Sequence, residues 1–301
     1  MLRAFSCEGE NVRAIVVTAP AKINLHLGIG GVRPDGFHDV TTVLHTLRLA
    51  DSIRLTPAAS FSLSCDTDLG IPAEQNLALR AARAFHQEFG EPAGVAIELS
   101  KRVPSGAGLA GGSSDAAAVL AGLAEMTGHQ DDPRLATVAR ELGADAAFFL
   151  AGGAVLMAGR GDLIVRTLPP LEVAVALVKP PAPVHTALAY KEFDANPVVA
   201  VAPDGVIAAL EAGDAAALGA SLANNMTDCA IALVPDVADA LAWVSTLPGV
   251  LGAAVAGSGS SVFALCADEG VAARIANEAP ARGLWGVATA TSLAGVTWAD
   301  G

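Results

Sequence analysis

Basic residues are scarce in this chain of 301 residues, which carries 18 lysines and arginines against 31 aspartates and glutamates. The formal net charge is -13, and no basic run or basic helix stripe interrupts the acidic background. Such a chain repels the phosphate backbone of DNA and RNA. We therefore expect no nucleic-acid partner.

Cysteines and long apolar runs are also few. The four cysteines, Cys7, Cys65, Cys229 and Cys266, lie far apart without paired spacing, which excludes a disulfide framework and a zinc cluster and predicts reduced core thiols. No stretch reaches the roughly eighteen apolar residues of a membrane span, and the first residues lack the apolar stretch of a signal peptide. We expect a cytoplasmic protein without a membrane partner.

Strand and helix patterns alternate along the chain, and its length favours two domains. The densest proline stretch, "KPPAPVHT", predicts a domain boundary near residues 169–183. We divide the chain there into an N-terminal domain, 13–170, and a C-terminal domain, 171–298.

The first strand is expected to have two different faces. In "AKINLHL", Lys22, Asn24 and His26 alternate with apolar residues, so they share one side of the strand. Asn76 is a plausible N-cap for a helix over residues 76–89 that stops at Gly90. Other helices are expected at 134–142, 203–212, 214–223 and 235–246, with hairpins around "GRGD" and "GSGSS".

A glycine-rich loop, "VPSGAGLAGGSSDAAAVL" at residues 103–120, lies between a predicted strand and an alanine-rich helix. Converging backbone N–H groups and a helix N-terminus, which carries about half a positive charge, form an anion site. We expect glycine at position 108 so that the backbone can touch the anion. A glycine-rich turn without a ligand is the alternative.

Two familiar phosphate motifs do not describe this loop. The G-x-G-x-x-G pattern lacks the acidic residue about twenty positions on that would hold a ribose. No Gly-Lys pair occurs in the chain, which excludes a Walker P-loop. Of Ser113 and Ser114, one is expected to cap the helix and the other to reach a phosphate or its metal, while Asp115 offsets the helix dipole.

The stretch from Pro104 to Ser114 resembles the P-x-G-x-G-L-x-x-S-S-type phosphate loop of the GHMP kinase superfamily. Three further stretches, "PAKINLHLGIGGVRPDGFHDV", "LGADAAFF" and "GSGSSVFAL", resemble a branch of it that phosphorylates a cytidine diphosphate conjugate of methylerythritol. The four stretches occur in the family's order over residues 19–265.

The resemblance implies an α/β (α+β) fold of two domains with the active site in the cleft between them. It implies ATP as phosphoryl donor, Mg²⁺, and transfer to the 2-hydroxyl of the methylerythritol moiety in the non-mevalonate isoprenoid route. The metal ligands stay open, and so does the choice between monomer and homodimer.

The resemblance also assigns roles to residues of this chain. Asp145 becomes the catalytic base or orienting carboxylate, and Lys22 the charge that polarises it, the hydroxyl or the phosphate. Read alone, Asp145 is a helix N-cap and Lys22 lies on a solvated strand face.

Two sets of binding residues follow. The ATP-binding set is Asn76, Lys101, Pro104, Ser105, Gly106, Ala107, Gly108, Leu109, Ala110, Gly111, Gly112, Ser113 and Ser114. The substrate-binding set is Asn24, Phe37, His38, Tyr190, Gly257, Ser258 and Gly259, in which Phe37 and Tyr190 stack on cytosine and His38 reads its edge. Structural alternatives are a helix cap for Asn76, a strand-end charge for Lys101, a core tyrosine and a hairpin turn at 257–259.

Three departures from the family pattern stand out: Phe37 replaces tyrosine, Ala110 replaces glycine, and Ala146 and Ala147 replace Val-Pro. Two other functions stay open. One is a superfamily kinase for homoserine or mevalonate derivatives, against which the Phe37–His38 pair speaks, and the other is a non-catalytic nucleotide-binding protein.

Overall fold

The computed structural model describes residues 13–300, so Cys7 lies outside the described residues. Within that range the strands are β1 (Ile15–Val32), β2 (His38–Pro57), β3 (Ser62–Cys65), β4 (Val95–Ser100), β5 (Ala154–Ala158), β6 (Leu163–Leu168), β7 (Ala174–Lys179), β8 (Ala223–Asn224), β9 (Val250–Val255), β10 (Val262–Cys266), β11 (Trp285–Ala290) and β12 (Thr297–Asp300).

The helices in the same range are α1 (Leu77–Phe89), α2 (Gly111–Thr127), α3 (Arg134–Leu142), α4 (Ala146–Ala151), α5 (Thr186–Ala195), α6 (Asp204–Ala212), α7 (Ala215–Ala220), α8 (Thr227–Leu233), α9 (Asp236–Ser245) and α10 (Glu269–Glu278). Two short 3-10 helices span Ala73–Gln75 and Ala279–Arg282. The expected mixture of strands and helices is confirmed.

The larger sheet has the order β12-β1-β2-β4-β3, to which β5 adds on β2, β6 on β5 and β8 on β1. Its two long strands, β1 and β2, pair antiparallel along most of their length. Residues 42–45 of β2 pair with β5, whereas residues 52–57 pair with β4. Strand β2 therefore pairs with β5 along one part of its length and with β4 along another.

The smaller sheet has the order β11-β7-β10-β9, and all its pairs are antiparallel. The sheets pack through a shared apolar layer that includes Ile23 and Leu25 of β1, Leu177 of β7, and Phe263 and Leu265 of β10. Helices α1 to α4 complete a second core against the larger sheet, and α8 to α10 complete a third against the smaller one.

The alternation predicted for β1 is confirmed, but its polar side is not solvated. Ile23 and Leu25 enter the core between the sheets, while Lys22, Asn24 and His26 are also buried. A buried ammonium is costly without partners, so this burial already sets Lys22 apart from an ordinary strand-surface lysine.

Helix α1 begins and ends as the sequence predicts. The Asn76 side chain accepts a hydrogen bond from the Ala78 N–H at 2.9 Å, and Gly90 closes the helix with φ of 80°. The hairpins joining β5 to β6 and β9 to β10 are confirmed as well. The helix expected at 214–223 is shorter, and α5 and α8 were not predicted.

The start of α2 corrects two predictions. The helix begins at Gly111 after Ala110, which makes no side-chain cap, so neither Ser113 nor Ser114 is the N-cap. Asp115 lies beyond the first turn and forms an ion pair with Lys101 instead of offsetting the helix dipole. The helix begins before Ser113 because the left-handed conformation of Ala110 turns the chain into the helix at Gly111.

Sheet membership changes between β6 and β7, next to the predicted boundary, but β12 returns to the larger sheet beside β1. The division into residues 13–170 and 171–298 stays a prediction. Among residues 13–300, no helix is long and apolar enough to cross a membrane. The free cysteines in that range are Cys229 and Cys266, which are buried, and Cys65, which is half-buried.

The packing of α7 on β9 depends on two facing glycines. A Cβ added at Gly252 would lie 2.1 Å from the carbonyl oxygen of Gly219. We predict that Gly252→Ala lowers the free energy of unfolding by about 1–3 kcal/mol because the backbones must separate. Urea denaturation followed by tryptophan fluorescence measures the change.

The control is Gly31→Ala, because a Cβ at Gly31 meets nothing within 4 Å. That exposed substitution should change the free energy of unfolding by about 0.5 kcal/mol or less. Equal stability of the two variants would contradict the close packing of α7 on β9.

Candidate active site

A cavity of about 900 Å³ brings together residues from distant parts of the chain. Its walls include β1, the glycine-rich loop before α2, the residue before α4, helix α5 and the loop between β9 and β10. All but four of the predicted site residues line it: Lys22, Asn24, Phe37, His38, Lys101, Pro104, Ser105, Gly106, Ala107, Gly108, Ala110, Gly111, Gly112, Ser113, Asp145, Tyr190, Gly257 and Ser258.

The four predicted residues outside the cavity wall are Asn76, Leu109, Ser114 and Gly259. Asn76 caps α1, in agreement with its structural alternative. Leu109 and Ser114 are buried below the loop. The hydroxyl oxygen of Ser114 is buried and has no hydrogen-bond partner among residues 13–300.

The glycine-rich loop follows a left-handed path into α2. Gly106, Gly108 and Ala110 have φ values of 62°, 75° and 55°. Left-handed residues turn successive N–H groups toward one side, as in the nests that bind anions. The cavity wall therefore holds these N–H groups together with the N-terminus of α2, which suits a phosphate.

Glycine at position 108 has a packing reason that the sequence did not predict. A Cβ there would lie 1.9 Å from the carbonyl oxygen of Ala256 and 3.1 Å from that of Gly259. Gly108 therefore packs closely on the loop between β9 and β10, while the expected contact of its backbone with an anion stays a prediction. The Ser261 N–H also donates to the Ala107 carbonyl at 3.3 Å, which joins the two loops.

Lys22 is fixed beside this junction. Its backbone N–H donates to the Leu109 carbonyl at 3.2 Å, and its Nζ donates to Asn24 Oδ1 at 2.7 Å. Asn24 Nδ2 in turn donates to Thr42 Oγ1 at 2.9 Å, and that hydroxyl donates to the His26 carbonyl at 2.6 Å. The chain of hydrogen bonds orients the ammonium, and Thr42 is a member of it that sequence reasoning missed.

Burial lowers the pKa of Lys22, which is 4% exposed, and the negative charge of Asp145 works in the opposite direction. Desolvation favours the neutral amine, whereas a nearby carboxylate favours the ammonium. Lys22 and Asp145 both line the cavity, and their cooperation in catalysis stays a prediction.

Asp145 does not cap helix α4 with its side chain, although it directly precedes the helix. It is the N-cap residue of α4, yet its side chain accepts no capping hydrogen bond. Among residues 13–300 it forms no ion pair within 4.0 Å. Its charge also contributes, after burial, to raising the pKa of Tyr190. The carboxylate is thus available to a hydroxyl placed in the cavity.

Lys101 does not project freely toward a ligand. Its Nζ donates to Asp51 and, at 2.7 Å, to Asp115. Asp51 Oδ1 also accepts from the Val103 N–H at 2.8 Å. This buried cluster ties β2, the end of β4 and α2 together at the base of the glycine-rich loop.

The pKa values of Asp115 and Lys101 in this cluster are both raised, but for different reasons. Burial raises the pKa of Asp115 to about 7, with the charge of Lys101 opposing it and that of Asp51 adding to it. Burial lowers the pKa of Lys101, but the two carboxylates more than offset that effect. Asp51 was missed because its partners lie 50 or more residues away in sequence.

Aromatic and charged side chains line the cavity around His38. The His38 ring lies 5.1 Å from that of Tyr190, and His38 Nε2 lies 2.8 Å from Asp194 Oδ1. Phe37 is 53% exposed, with the Arg160 guanidinium 4.8 Å from its ring centroid. Asp194 and Arg160 were missed because neither lies near Phe37 or His38 in sequence.

The loop between β9 and β10 closes the cavity beside Lys22. A Cβ added at Gly257, whose φ is 56°, would lie 3.2 Å from Lys22 Nζ. Ser258 Oγ lies 3.1 Å from Thr186 Oγ1 at the start of α5. The hairpin-turn alternative is correct for the backbone, but the turn also forms a wall of the cavity.

The donors present suit a magnesium ion that arrives with phosphates. Within residues 13–300, no group of three or more histidine, cysteine, aspartate or glutamate residues could hold a metal. Mg²⁺ is commonly bound through one or two carboxylates plus substrate phosphates. The Ser113 hydroxyl is a further oxygen donor at the cavity wall.

Comparison with known proteins agrees with this architecture. The GHMP kinases N terminal domain matches residues 76–153, and the GHMP kinases C terminal domain matches residues 206–283. A 4-diphosphocytidyl-2-C-methyl-D-erythritol kinase of Pelotomaculum thermopropionicum is 40% identical over 260 residues, which cover 84% of this chain and 90% of the relative. A kinase of the same name from Shouchella clausii is 38% identical over 265 residues, covering 87% and 89%.

Solved structures are similar over nearly the whole chain. The crystal structure of a 4-(cytidine 5'-diphospho)-2C-methyl-D-erythritol kinase has a TM-score of 0.78 and 32% identity, covering 92% of this chain and 99% of that one. A homoserine kinase from Cytophaga hutchinsonii has a TM-score of 0.74 at 21% identity, covering 99% and 100%, and it shows the fold alone.

The chain belongs to the 4-diphosphocytidyl-2-C-methyl-D-erythritol kinase family of the GHMP kinases. It is thus a small-molecule kinase of a family that uses ATP, with the two-sheet α/β fold of that family.

The departures from the family pattern have different consequences in this kinase. Phe37 keeps a ring at the cavity and contacts Arg160. Ala146 and Ala147 are buried in the first turn of α4, so they fill the core behind Asp145. Ala110 adopts a left-handed conformation that a side chain disfavours, because its Cβ crowds the backbone.

We predict that Ala110→Gly raises the free energy of unfolding by up to about 1 kcal/mol. Relief of the left-handed strain, roughly 1–2 kcal/mol, exceeds the entropic cost of glycine, about 0.5–1 kcal/mol. Denaturant unfolding provides the comparison.

The matched control is Ala118→Gly in the interior of α2. That change should destabilise the protein by roughly 1 kcal/mol or more, because a helix interior disfavours glycine. If Ala110→Gly destabilises to the same extent, Ala110 stores no strain.

Proposed function

We propose that this kinase transfers the γ-phosphoryl group of ATP to the 2-hydroxyl of 4-diphosphocytidyl-2-C-methyl-D-erythritol, giving the 2-phosphate and ADP in the non-mevalonate isoprenoid route. The observation that carries the proposal is one cavity lined by the glycine-rich loop, by Lys22 and Asp145, and by the His38–Tyr190 pair. The relatives of the same name support the choice of acceptor.

The nucleotide phosphates would lie against the left-handed loop and the N-terminus of α2. Phosphoryl transfer requires positioning and electrostatic stabilisation more than covalent participation by the protein. Backbone N–H groups fixed by the two-loop junction provide this without rearrangement, because the junction packs Gly108 on the Ala256 carbonyl.

Asp145 would accept the proton of the acceptor hydroxyl as its oxygen forms the new bond to the γ-phosphorus. The bond between that phosphorus and the β,γ-bridging oxygen breaks, and ADP leaves with the electron pair. Lys22 would place positive charge beside the reacting oxygens, since its ammonium is held by Asn24. Asp145 is available for this step because it makes no capping hydrogen bond.

Mg²⁺, when bound with ATP, would neutralise charge on the phosphates. Ser113 is the residue that would hold it, together with the phosphate oxygens. The cytosine would lie beside the aromatic residues of the cavity, with Phe37 and Tyr190 as stacking partners and His38 at its edge. Base stacking of this type contributes about 1–3 kcal/mol per base.

The acceptor is tested with a panel of alcohols and coupled detection of ADP. We predict turnover on 4-diphosphocytidyl-2-C-methyl-D-erythritol and none above background on mevalonate or homoserine, because those alcohols lack a base for the His38–Tyr190 end. Turnover on either of them without turnover on the cytidylated alcohol would overturn the proposed acceptor.

The catalytic assignment is tested by Asp145→Asn, which keeps the shape of the side chain and removes its proton acceptor. We predict a fall in kcat of about 100-fold or more, with ATP affinity changed only slightly. Steady-state kinetics and nucleotide titration separate the two effects.

The matched control is Asp131→Asn, an exposed carboxylate outside the cavity wall, which should leave kcat unchanged. Wild-type kcat in Asp145→Asn would contradict the proton-acceptor role. ATP binding that is indifferent to Asp145→Asn, with no turnover in the wild type either, would favour the non-catalytic nucleotide-binding protein.

A further inference from the structure

The imidazole of His38 is held on three sides by helix α5. Asp194 Oδ1 lies 2.8 Å from Nε2, the Tyr190 ring lies at 5.1 Å, and the Phe193 ring is edge-on at 6.0 Å. Tyr190 and Asp194 are four residues apart and therefore share one face of the helix. The His38 side chain is only 9% exposed, so its orientation is set by these contacts.

The contact with Asp194 determines which ring nitrogen carries the proton. An ionised carboxylate only accepts hydrogen bonds, so Nε2 must donate. In a neutral imidazole the other nitrogen, Nδ1, is then an acceptor. No group of residues 13–300 forms a hydrogen bond with Nδ1, and His38 lines the cavity. Nδ1 is therefore available to a ligand as an acceptor.

An acceptor at this position distinguishes the two common pyrimidines. On the base-pairing edge of cytosine the 4-amino group is the donor, while N3 and O2 are acceptors. Uracil has an oxygen in place of that amine. An Nδ1 lone pair that accepts from a 4-amino group would meet the lone pairs of O4 in uracil, and an unpaired polar contact of this kind is penalised.

We propose that Asp194 is a specificity-determining residue, which keeps the His38 proton on Nε2 so that Nδ1 selects a 4-amino pyrimidine over a 4-oxo pyrimidine. The inference rests on the proposed function, because it takes a cytidine conjugate as the substrate. Asp194 acts through His38 and touches no reacting atom, so it is a positioning residue.

The first test compares kcat/KM for the cytidine diphosphate conjugate with that for the uridine diphosphate conjugate of the same alcohol. We expect wild-type enzyme to prefer the cytidine conjugate, and the preference to fall at least about tenfold in Asp194→Ala. The loss should appear mainly in KM for the cytidine conjugate, because the base is remote from the reacting hydroxyl. Asp194→Glu restores an acceptor and should recover most of the preference.

Glu192→Ala is the matched control, since it removes another carboxylate from α5 that contacts Asn196 and not His38. Its preference should equal that of wild type. A preference unchanged in Asp194→Ala, or an equal loss of activity on both conjugates, would overturn the inference.

A second test reads the tautomer without measuring activity. Nitrogen-15 NMR of the imidazoles shows which ring nitrogen carries the proton, and His38 is assigned by the loss of its signals in His38→Gln. In wild-type protein whose His38 imidazole is neutral, we expect a proton on Nε2 and none on Nδ1. Protonated Nδ1 would overturn the inference. Absence of turnover on the cytidine conjugate together with the expected tautomer would instead count against the proposed function.

Discussion

The active-site geometry depends on one contact between two loops, in which the backbone at Gly108 packs directly on the carbonyl of Ala256. No side chain fits between them, and the Ser261 N–H adds a hydrogen bond to Ala107. Because the first loop opens α2 and the second joins β9 to β10, this contact fixes the glycine-rich loop, the proposed phosphate site, against the smaller sheet. Lys22 joins the same junction through the Leu109 carbonyl.

Buried polar groups orient Lys22 and the base of the glycine-rich loop. Lys22 would be costly in the interior on its own, but Asn24 and Thr42 link it to the backbone of β1. Asp51 and Lys101 likewise connect strands to the base of the glycine-rich loop. Both networks contain buried hydrogen bonds, which are strong when complete and costly when one partner is lost. They therefore hold Lys22 and the base of the glycine-rich loop in place.

Sequence reasoning predicted those cavity-lining residues that lie in continuous motifs. The glycine-rich loop and the strand face of Lys22 are local patterns, and the resemblance to GHMP kinases placed Asp145 with them. It failed where a role depends on residues distant in sequence, as for Asp51 and Asp194. It also missed the contact of Gly108 with the Ala256 carbonyl, because a pattern shows that a glycine is needed but not which neighbour requires it.

A crystal structure of the enzyme with 4-diphosphocytidyl-2-C-methyl-D-erythritol and a non-hydrolysable ATP analogue tests most directly whether the glycine-rich loop binds the phosphates beside Lys22 and Asp145. We predict the γ-phosphate at the N-terminus of α2, with the 2-hydroxyl directed at its phosphorus from between Lys22 and Asp145. A triphosphate bound away from the residue 106–113 loop, or a 2-hydroxyl remote from both side chains, would contradict it.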